Sequence, residues 1–293
     1  MSQTSVATVN ITINGTPVEA EEGLSILQAA RAAGTRIPAL CYLEGVQCLG
    51  ACRVCLVEVE GARTLAAACS TPITPGMSIR TNSRRVREAR RTVVELLLSE
   101  HAGDCTTCDR NSDCELQALA RELGIRENRY EGERTNPGMD RSTPALVRDN
   151  GKCIKCRRCV SVCGDIQGVG ALFPQGRGFD SVIGPAFARE LSTVPCVQCG
   201  QCAAVCPVGA ITENSHIQKI WDAIDDPDTH VVVQTAPAIR AALGECFGHE
   251  PGTLVTGKMT AALRRLGFDG VFDTNFTADL TILEEGTELL VRL

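Results

Sequence analysis

The chain has 293 residues, a formal net charge of -6 and an ordinary hydrophobic share of 44%, so its bulk gives no case for nucleic-acid binding. Its outstanding compositional feature is cysteine, with 17 copies against 1 Trp, 2 Tyr and 7 Phe. A secreted disulfide framework fits poorly: the opening MSQTSVATVNITING lacks the basic and apolar regions of a signal peptide, and most cysteines stand in C-x-x-C units, the spacing of metal ligands. No apolar run is long enough to span a bilayer. The expectation is a soluble, cytoplasmic, metal-bearing chain.

Residues 1–83 read as β-rich. The alternating run Thr8–Ile13 meets Asn14-Gly15, a strong hairpin signal, and Val18 begins a return strand. Residues 25–33 read as a helix stopped by Gly34, and residues 55–60 as a further strand ending at Gly61. A hairpin, a crossing helix and another strand suggest a β-grasp ferredoxin. Residues 84–100 form a predicted helix whose first half carries Arg84, Arg85, Arg87, Arg90 and Arg91, read either as a solvated face or as a docking surface for an acidic partner. A second helix is predicted near 115–123, and the charged stretch 126–150, containing Asn136-Pro137-Gly138, as a linker. Residues 151–213 hold two copies of one cysteine pattern. Beyond about 229 the pattern becomes strand (230–233), helix (256–266) and strand (270–272), the opening of an α/β unit.

The first ligand group is Cys41, Cys52, Cys55 and Cys69, spaced C-x10-C-x2-C-x13-C. Such a loop suits a [2Fe–2S] cluster, which takes four thiolates, with small Gly50 and Ala51 allowing close wrapping and Arg53 offsetting negative charge. Cys48 could replace Cys41 on spacing alone, and zinc is the competing metal. The second group is H-x3-C-x2-C-x5-C: His101, Cys105, Cys108 and Cys114. Three cysteines lack a fourth ligand, and His101 is the candidate for it; Cys48, Cys246 or water are the alternatives. A neutral imidazole in place of a thiolate makes such a site easier to reduce.

The strongest signals are Cys153-x2-Cys156-x2-Cys159-x3-Cys163 and Cys196-x2-Cys199-x2-Cys202-x3-Cys206-Pro207. In two-cluster ferredoxins the fourth cysteine of each run serves the other cluster. The expected sets are therefore Cys153, Cys156, Cys159 and Cys206 for one [4Fe–4S] cluster, and Cys196, Cys199, Cys202 and Cys163 for the other. Gly164 stands where proline is common, a minor departure. Cys48 and Cys246 remain, and Cys246 is expected to be a buried structural thiol. Gly168-Val169-Gly170 lacks the rest of a dinucleotide-binding motif.

This succession of cysteine groups resembles the N-terminal half of large [FeFe]-hydrogenases and the large iron–sulfur subunit of respiratory complex I. The final block favours the former: Thr235-Ala236-Pro237-Ala238-Ile239-Arg240, residues 256–268, Phe272-Asp273-Thr274, residues 278–281 and Glu284-Glu285-Gly286 resemble the opening of the hydrogenase catalytic domain. The three cysteine signatures that hold the family's six-iron H-cluster are absent from these 293 residues. The resemblance implies an α+β multidomain chain: residues 1–83 a β-grasp [2Fe–2S] domain, 84–140 a small helical domain with a His/Cys3 [4Fe–4S] site, 141–225 a two-[4Fe–4S] ferredoxin domain, and 226–293 the start of a hydrogenase-like α/β domain. It implies one [2Fe–2S] and three [4Fe–4S] clusters, no catalytic residue, and an electron-relay role in an NAD(P)H-linked, electron-bifurcating type of complex. The implied companions are a flavin- and Fe–S-containing NAD(P)H-oxidising subunit, a small thioredoxin-like [2Fe–2S] subunit, and ferredoxin. Two competing expectations are that the chain is the front of a catalytic hydrogenase subunit, or that it feeds a formate dehydrogenase or a transhydrogenase.

Overall fold

The computed structural model describes residues 7–131 and 138–293. The chain divides into two compact units at Asn214 and Ser215. In the first unit, β1 (Thr8–Ile13) and β2 (Thr16–Glu21) form an antiparallel hairpin with Ile13 opposite Thr16. Asn14 and Gly15 both have positive φ (53° and 86°), the mirror-image turn whose twist suits a two-residue hairpin. Alternation then decides the faces: Val9, Ile11 and Ile13 are buried, while Thr8 and Asn10 are exposed.

Helix α1 (Ile26–Ala32) starts at Ser25, whose hydroxyl accepts from the Gln28 N–H at 3.3 Å while the Gln28 side chain accepts from the Ser25 N–H at 2.9 Å. This reciprocal cap fixes the helix start, and Ile26, Leu27, Ala29 and Ala30 enter the core. Strands β3 (Leu56–Val59), β4 (Ala66–Ala67) and β5 (Ser78–Arg80) complete a sheet of order β2-β1-β5-β3-β4. Only β1 and β5 in it are parallel.

Helix α2 (Arg84–Glu100) is capped by Ser83. Its arginines are not all surface charges. Arg90 is buried and donates to the carbonyls of Val54 (2.9 Å), Leu56 (3.0 Å) and Thr81 (3.3 Å), clamping the helix to β3 and the chain leading into it. Glu95, also buried, pairs with Arg129 and Arg91, and these partners hold its carboxyl below the usual range despite burial. Helix α3 (Glu115–Glu122) follows the second ligand group.

Part of the expected linker is sheet. Asn136 and Pro137 lie outside the described residues, but β6 (Met139–Asp140) and β7 (Leu146–Asp149) fall within 126–150, and β7 pairs antiparallel with β10 (Ile211–Glu213). Flanking charge hides this strand in the sequence. In the fold, Arg148 is buried and its charge is matched by Asp140 at 3.2 Å. Helix α4 (Arg158–Ser161) runs into a π-helical turn, Val162–Ile166, of a kind often found at functional sites. A β8 (Phe173–Gln175) and β9 (Val182–Gly184) hairpin and the short α5 (Gln201–Ala204) complete the unit. One core joins Leu40, Val94, Leu116, Ile154, Leu172 and Ile211, so the three cysteine-bearing blocks are packed together and do not form separate globules.

The second unit holds α6 (Ile217–Asp225), β11 (Val232–Thr235), α7 (Pro237–Cys246), α8 (Thr256–Leu266), β12 (Gly270–Asp273) and α9 (Thr274–Arg292). Strands β11 and β12 are parallel, with Val232 opposite Gly270. The strand starts later than its apolar run because the Val231 N–H is taken by the Asp269 carboxylate (2.7 Å). Residues 215–225, grouped by sequence with the cysteine runs, belong here, since Ile224 packs against Gly267. Among the described residues no helix is long and apolar enough to cross a membrane.

Candidate metal centres

The loop between α1 and β3 carries Cys41, Cys52 and Cys55, the segment after β4 carries Cys69, and all four are buried. Their thiols perturb one another's proton affinity: Cys41 that of Cys52 and of Cys69, and Cys69 and Cys55 that of each other. The Cys52 N–H also points at the Cys41 sulfur from 3.5 Å. Contact with Cys41, then burial, drives the Cys52 thiol far above its ordinary range. Cys69 is pulled down by Cys41 but pushed up more by Cys55 and burial, to about 11, and it lowers Cys55 in turn. Cys48 lies beside the group, exposed, with its thiol donating to the Cys69 carbonyl.

His101 closes α2, Cys105 and Cys108 lie in the loop beyond it, and Cys114 immediately precedes α3. All four line one cavity, shared with Lys152 and Gly209. Cys48 is not among its lining residues. A Cβ at Gly209 would fall 2.6 Å from the Cys108 sulfur, so only glycine allows the backbone this close. Burial raises the Cys114 thiol, partly offset by the N–H groups of Gln117 and Leu116 at the start of α3.

The two duplicated runs are interleaved in space. Cys153, Cys156, Cys159 and Cys206 line one cavity; Cys163, Cys196, Cys199 and Cys202 line another. In each run the same two spacer positions are left-handed: Lys155 (φ 56°) and Arg157 (φ 64°) in the first, Gln198 (φ 54°) and Gly200 (φ 75°) in the second. These reversals curl the backbone round the thiols, and the Lys155 N–H points at the Cys153 sulfur (3.4 Å); past the first run, the Ala171 N–H points at the Cys163 sulfur (3.3 Å). Burial pushes the Cys156 thiol up to about 12 and Cys202 up to about 11, and raises Cys153 and Cys159 as well.

Four thiols at three of the sites, three thiols with His101 at the other, and N–H groups aimed at sulfur are a donor chemistry suited to iron–sulfur clusters.

Family models match along the chain. The 2Fe-2S iron–sulfur cluster binding domain matches residues 6–84, the NADH-ubiquinone oxidoreductase-G iron–sulfur binding region 90–129, the 4Fe-4S dicluster domain 152–210, and the C-terminal domain of the iron-only hydrogenase large subunit 229–293. The NADP-reducing hydrogenase subunit HndD of Solidesulfovibrio fructosivorans is 52% identical over 97% of this chain and 50% of its own length. Iron hydrogenase 1 of Clostridium pasteurianum is 38% identical over 97% and 50%. A crystal structure of an NAD+-reducing [NiFe]-hydrogenase in the H2-reduced state contains a chain 31% identical to this one, with a TM-score of 0.67, covering 71% of this chain and 88% of that one. The chain is therefore similar, over nearly its whole length, to the iron–sulfur-bearing part of hydrogenase subunits. It spans about half the length of the curated hydrogenase relatives it matches.

Several residues that bear on the sites carry none of the candidate donor groups, so the spacing of cysteines does not point to them. Arg158, between Cys156 and Cys159, is buried; its guanidinium grips the Glu115 carboxylate at 2.5 and 3.0 Å and reaches the Ala39 carbonyl at 3.3 Å. One side chain therefore ties the segments carrying Cys41, Cys114 and Cys156. Arg148 lines the Cys153 cavity and donates to the Ile183 carbonyl at 2.7 Å. Gln47, beside Cys48, is buried as well. Arg158 adjoins the expected ligand Cys159 in sequence; Arg148 and Gln47 adjoin none of the expected ligands and carry no signal there. Cys246 corrects the expectation of a buried thiol: it ends α7 and is exposed, because the turn at its end leaves it on the outside of its unit.

Proposed function

We propose that the chain is an iron–sulfur electron relay of a multisubunit, NAD(P)-linked hydrogenase-type complex, and that its ligands act in four sets. Cys41, Cys52, Cys55 and Cys69 hold a [2Fe–2S] cluster in a β-grasp domain (residues 1–83). His101, Cys105, Cys108 and Cys114 hold a [4Fe–4S] cluster in residues 84–140. Cys153, Cys156, Cys159 and Cys206 hold a second, and Cys163, Cys196, Cys199 and Cys202 a third, in a ferredoxin-like segment from residue 141 to about 214. The observation that carries this reading is the interleaving of the two runs, each lending one cysteine to the other's cavity. Bound there, such clusters supply one-electron redox chemistry. The chain's own part is to hold the thiols, release their protons on metal binding, aim N–H groups at sulfur and exclude water. The proposed companions are a flavin-containing NAD(P)H-oxidising subunit, a small thioredoxin-like [2Fe–2S] subunit and ferredoxin.

Anaerobic metal analysis tests the reading. It should find about fourteen irons per chain; stoichiometric zinc with few irons would sink it. His101→Cys and His101→Ala should each alter one four-iron EPR signal or its potential, and no change in either removes His101 from the ligand set.

A second reading has its own support. The match of residues 229–293 to the hydrogenase C-terminal domain favours a chain that continues into the catalytic part of the same subunit. A downstream reading frame carrying further cysteine signatures would establish it, and an in-frame stop codon after Leu293 would overturn it.

A further inference from the structure

Gln47 has 5% exposure and carries a fully used carboxamide. Its Nε2 donates one hydrogen bond to the carbonyl of Cys41 (2.7 Å) and the other to the carbonyl of Cys156 (2.9 Å). Its Oε1 accepts from the Ser161 hydroxyl (2.8 Å), which lies on α4 two residues beyond Cys159. An amide has two N–H donors, and here each serves the backbone of a cysteine from a different ligand set. Gln47 and Cys156 are 109 residues apart in sequence.

A buried polar residue that merely filled space would need partners, but not these two. An apolar residue of the same size would leave both cysteine carbonyls without this donor. The bridge also ties together two loops whose cysteines belong to separate sites. The two carbonyls can only accept, so Nε2 rather than Oε1 must face them, and the Ser161 hydroxyl supplies the donor for Oε1.

We infer that Gln47 is a positioning residue for electron exchange between the Cys41 site and the Cys153 site, acting as the direct hydrogen-bonded bridge between their ligands. The inference rests on the cluster reading above. The exchange moves one electron: the group at one site is oxidised by one electron and the group at the other is reduced by one, with no bond or proton changing hands. Gln47 sets the coupling and the spacing; it does not set the direction.

The test uses the full chain, purified anaerobically with its clusters, as wild type, Gln47→Leu and Ser161→Ala. Three quantities are read: iron content, magnetic coupling between the reduced two-iron and four-iron EPR signals, and the rate of electron redistribution between them after rapid photoreduction. Gln47→Leu should keep its iron and both signals, yet show a several-fold slower redistribution and weaker coupling. Ser161→Ala should move both in the same direction by less. Wild-type rate and coupling in Gln47→Leu at full iron content overturn the inference. If Gln47→Leu loses iron, Ser161→Ala decides: slower redistribution at full iron supports the bridge, and an unchanged rate overturns it. Absence of both signals from the wild type overturns the cluster reading itself, and the inference with it.

Discussion

The two copies of the cysteine run share a backbone and differ in surroundings. Lys155 and Arg157 occupy the same left-handed positions as Gln198 and Gly200. The first copy is nonetheless sunk into the unit, with Cys156 and Cys159 buried, while in the second Cys199 is exposed and Val197 is 65% exposed. The difference comes from what packs on them. The first copy is covered by the Cys41 loop through Gln47 and by α3 through the Arg158–Glu115 pair. At the position matching Arg158 the second copy has Gln201, which is exposed. Spacing thus sets the shape of a ligand loop, and neighbours set its dielectric environment, which governs proton affinity at a thiol and potential at a metal.

The largest expected effect that separates the copies is pH-dependent, in the metal-free protein. Burial raises Cys153, Cys156 and Cys159 above the ordinary thiol value of 9.0, with Cys156 reaching about 12. A thiol that holds its proton more tightly when folded contributes stability fully below pH 9, and that stability is lost as pH rises through the folded value. The urea midpoint of metal-free protein should therefore fall steeply between about pH 9 and 12. Because Cys202 reaches only about 11, alkylation mapped by mass spectrometry near pH 10 should label Cys202 before Cys156. Labelling in the reverse order would break the comparison.

Removing the cover from the first copy is the next largest change. Arg158→Met leaves Glu115 without its bidentate partner and the Ala39 carbonyl without a donor, and should cost about 2–3 kcal/mol in urea unfolding. Gln201→Met, the matching change in the second copy, should stay within about 0.5 kcal/mol. Equal costs would mean that the ion pair is not what distinguishes the copies. The smallest effect sharpens the shared feature. A non-glycine residue in the left-handed region costs about 1–2 kcal/mol, part of which is recovered in glycine's unfolded-state freedom. Arg157→Gly, which makes the first copy match Gly200, should stabilise the fold by about 0.5 kcal/mol, read as a higher thermal midpoint. A lower midpoint would show that the Arg157 side chain contributes more than its backbone strain costs.

Local chemistry made much of the fold legible. The helix expected at 84–100 is α2, and that at 256–266 is α8, because apolar periodicity and caps such as Ser83 act within one turn. The hairpin followed from Asn14-Gly15 for the same reason. Strand β7 was hidden because Arg148 and Asp149 read as linker charge, and only the Asp140 pairing makes a buried arginine tolerable there. The helical arginines divided in the same way: Arg84 pairs with Glu88 on the surface, whereas Arg90 is a buried clamp on three carbonyls.

Two-residue spacing between cysteines determined, without any structure, that this chain bears metal-binding loops, because that spacing suffices to turn a loop round a soft metal group. Sequence also grouped His101 with Cys105, Cys108 and Cys114 as candidates. Only the tertiary structure decided which loops lie against each other: Gly209 under Cys108, Arg158 between three ligand segments, and Gln47 across two of them. The reason is physical. A turn is fixed by the φ and ψ of neighbouring residues, whereas burial and bridging depend on partners a hundred residues away, whose arrival is governed by packing of the whole unit.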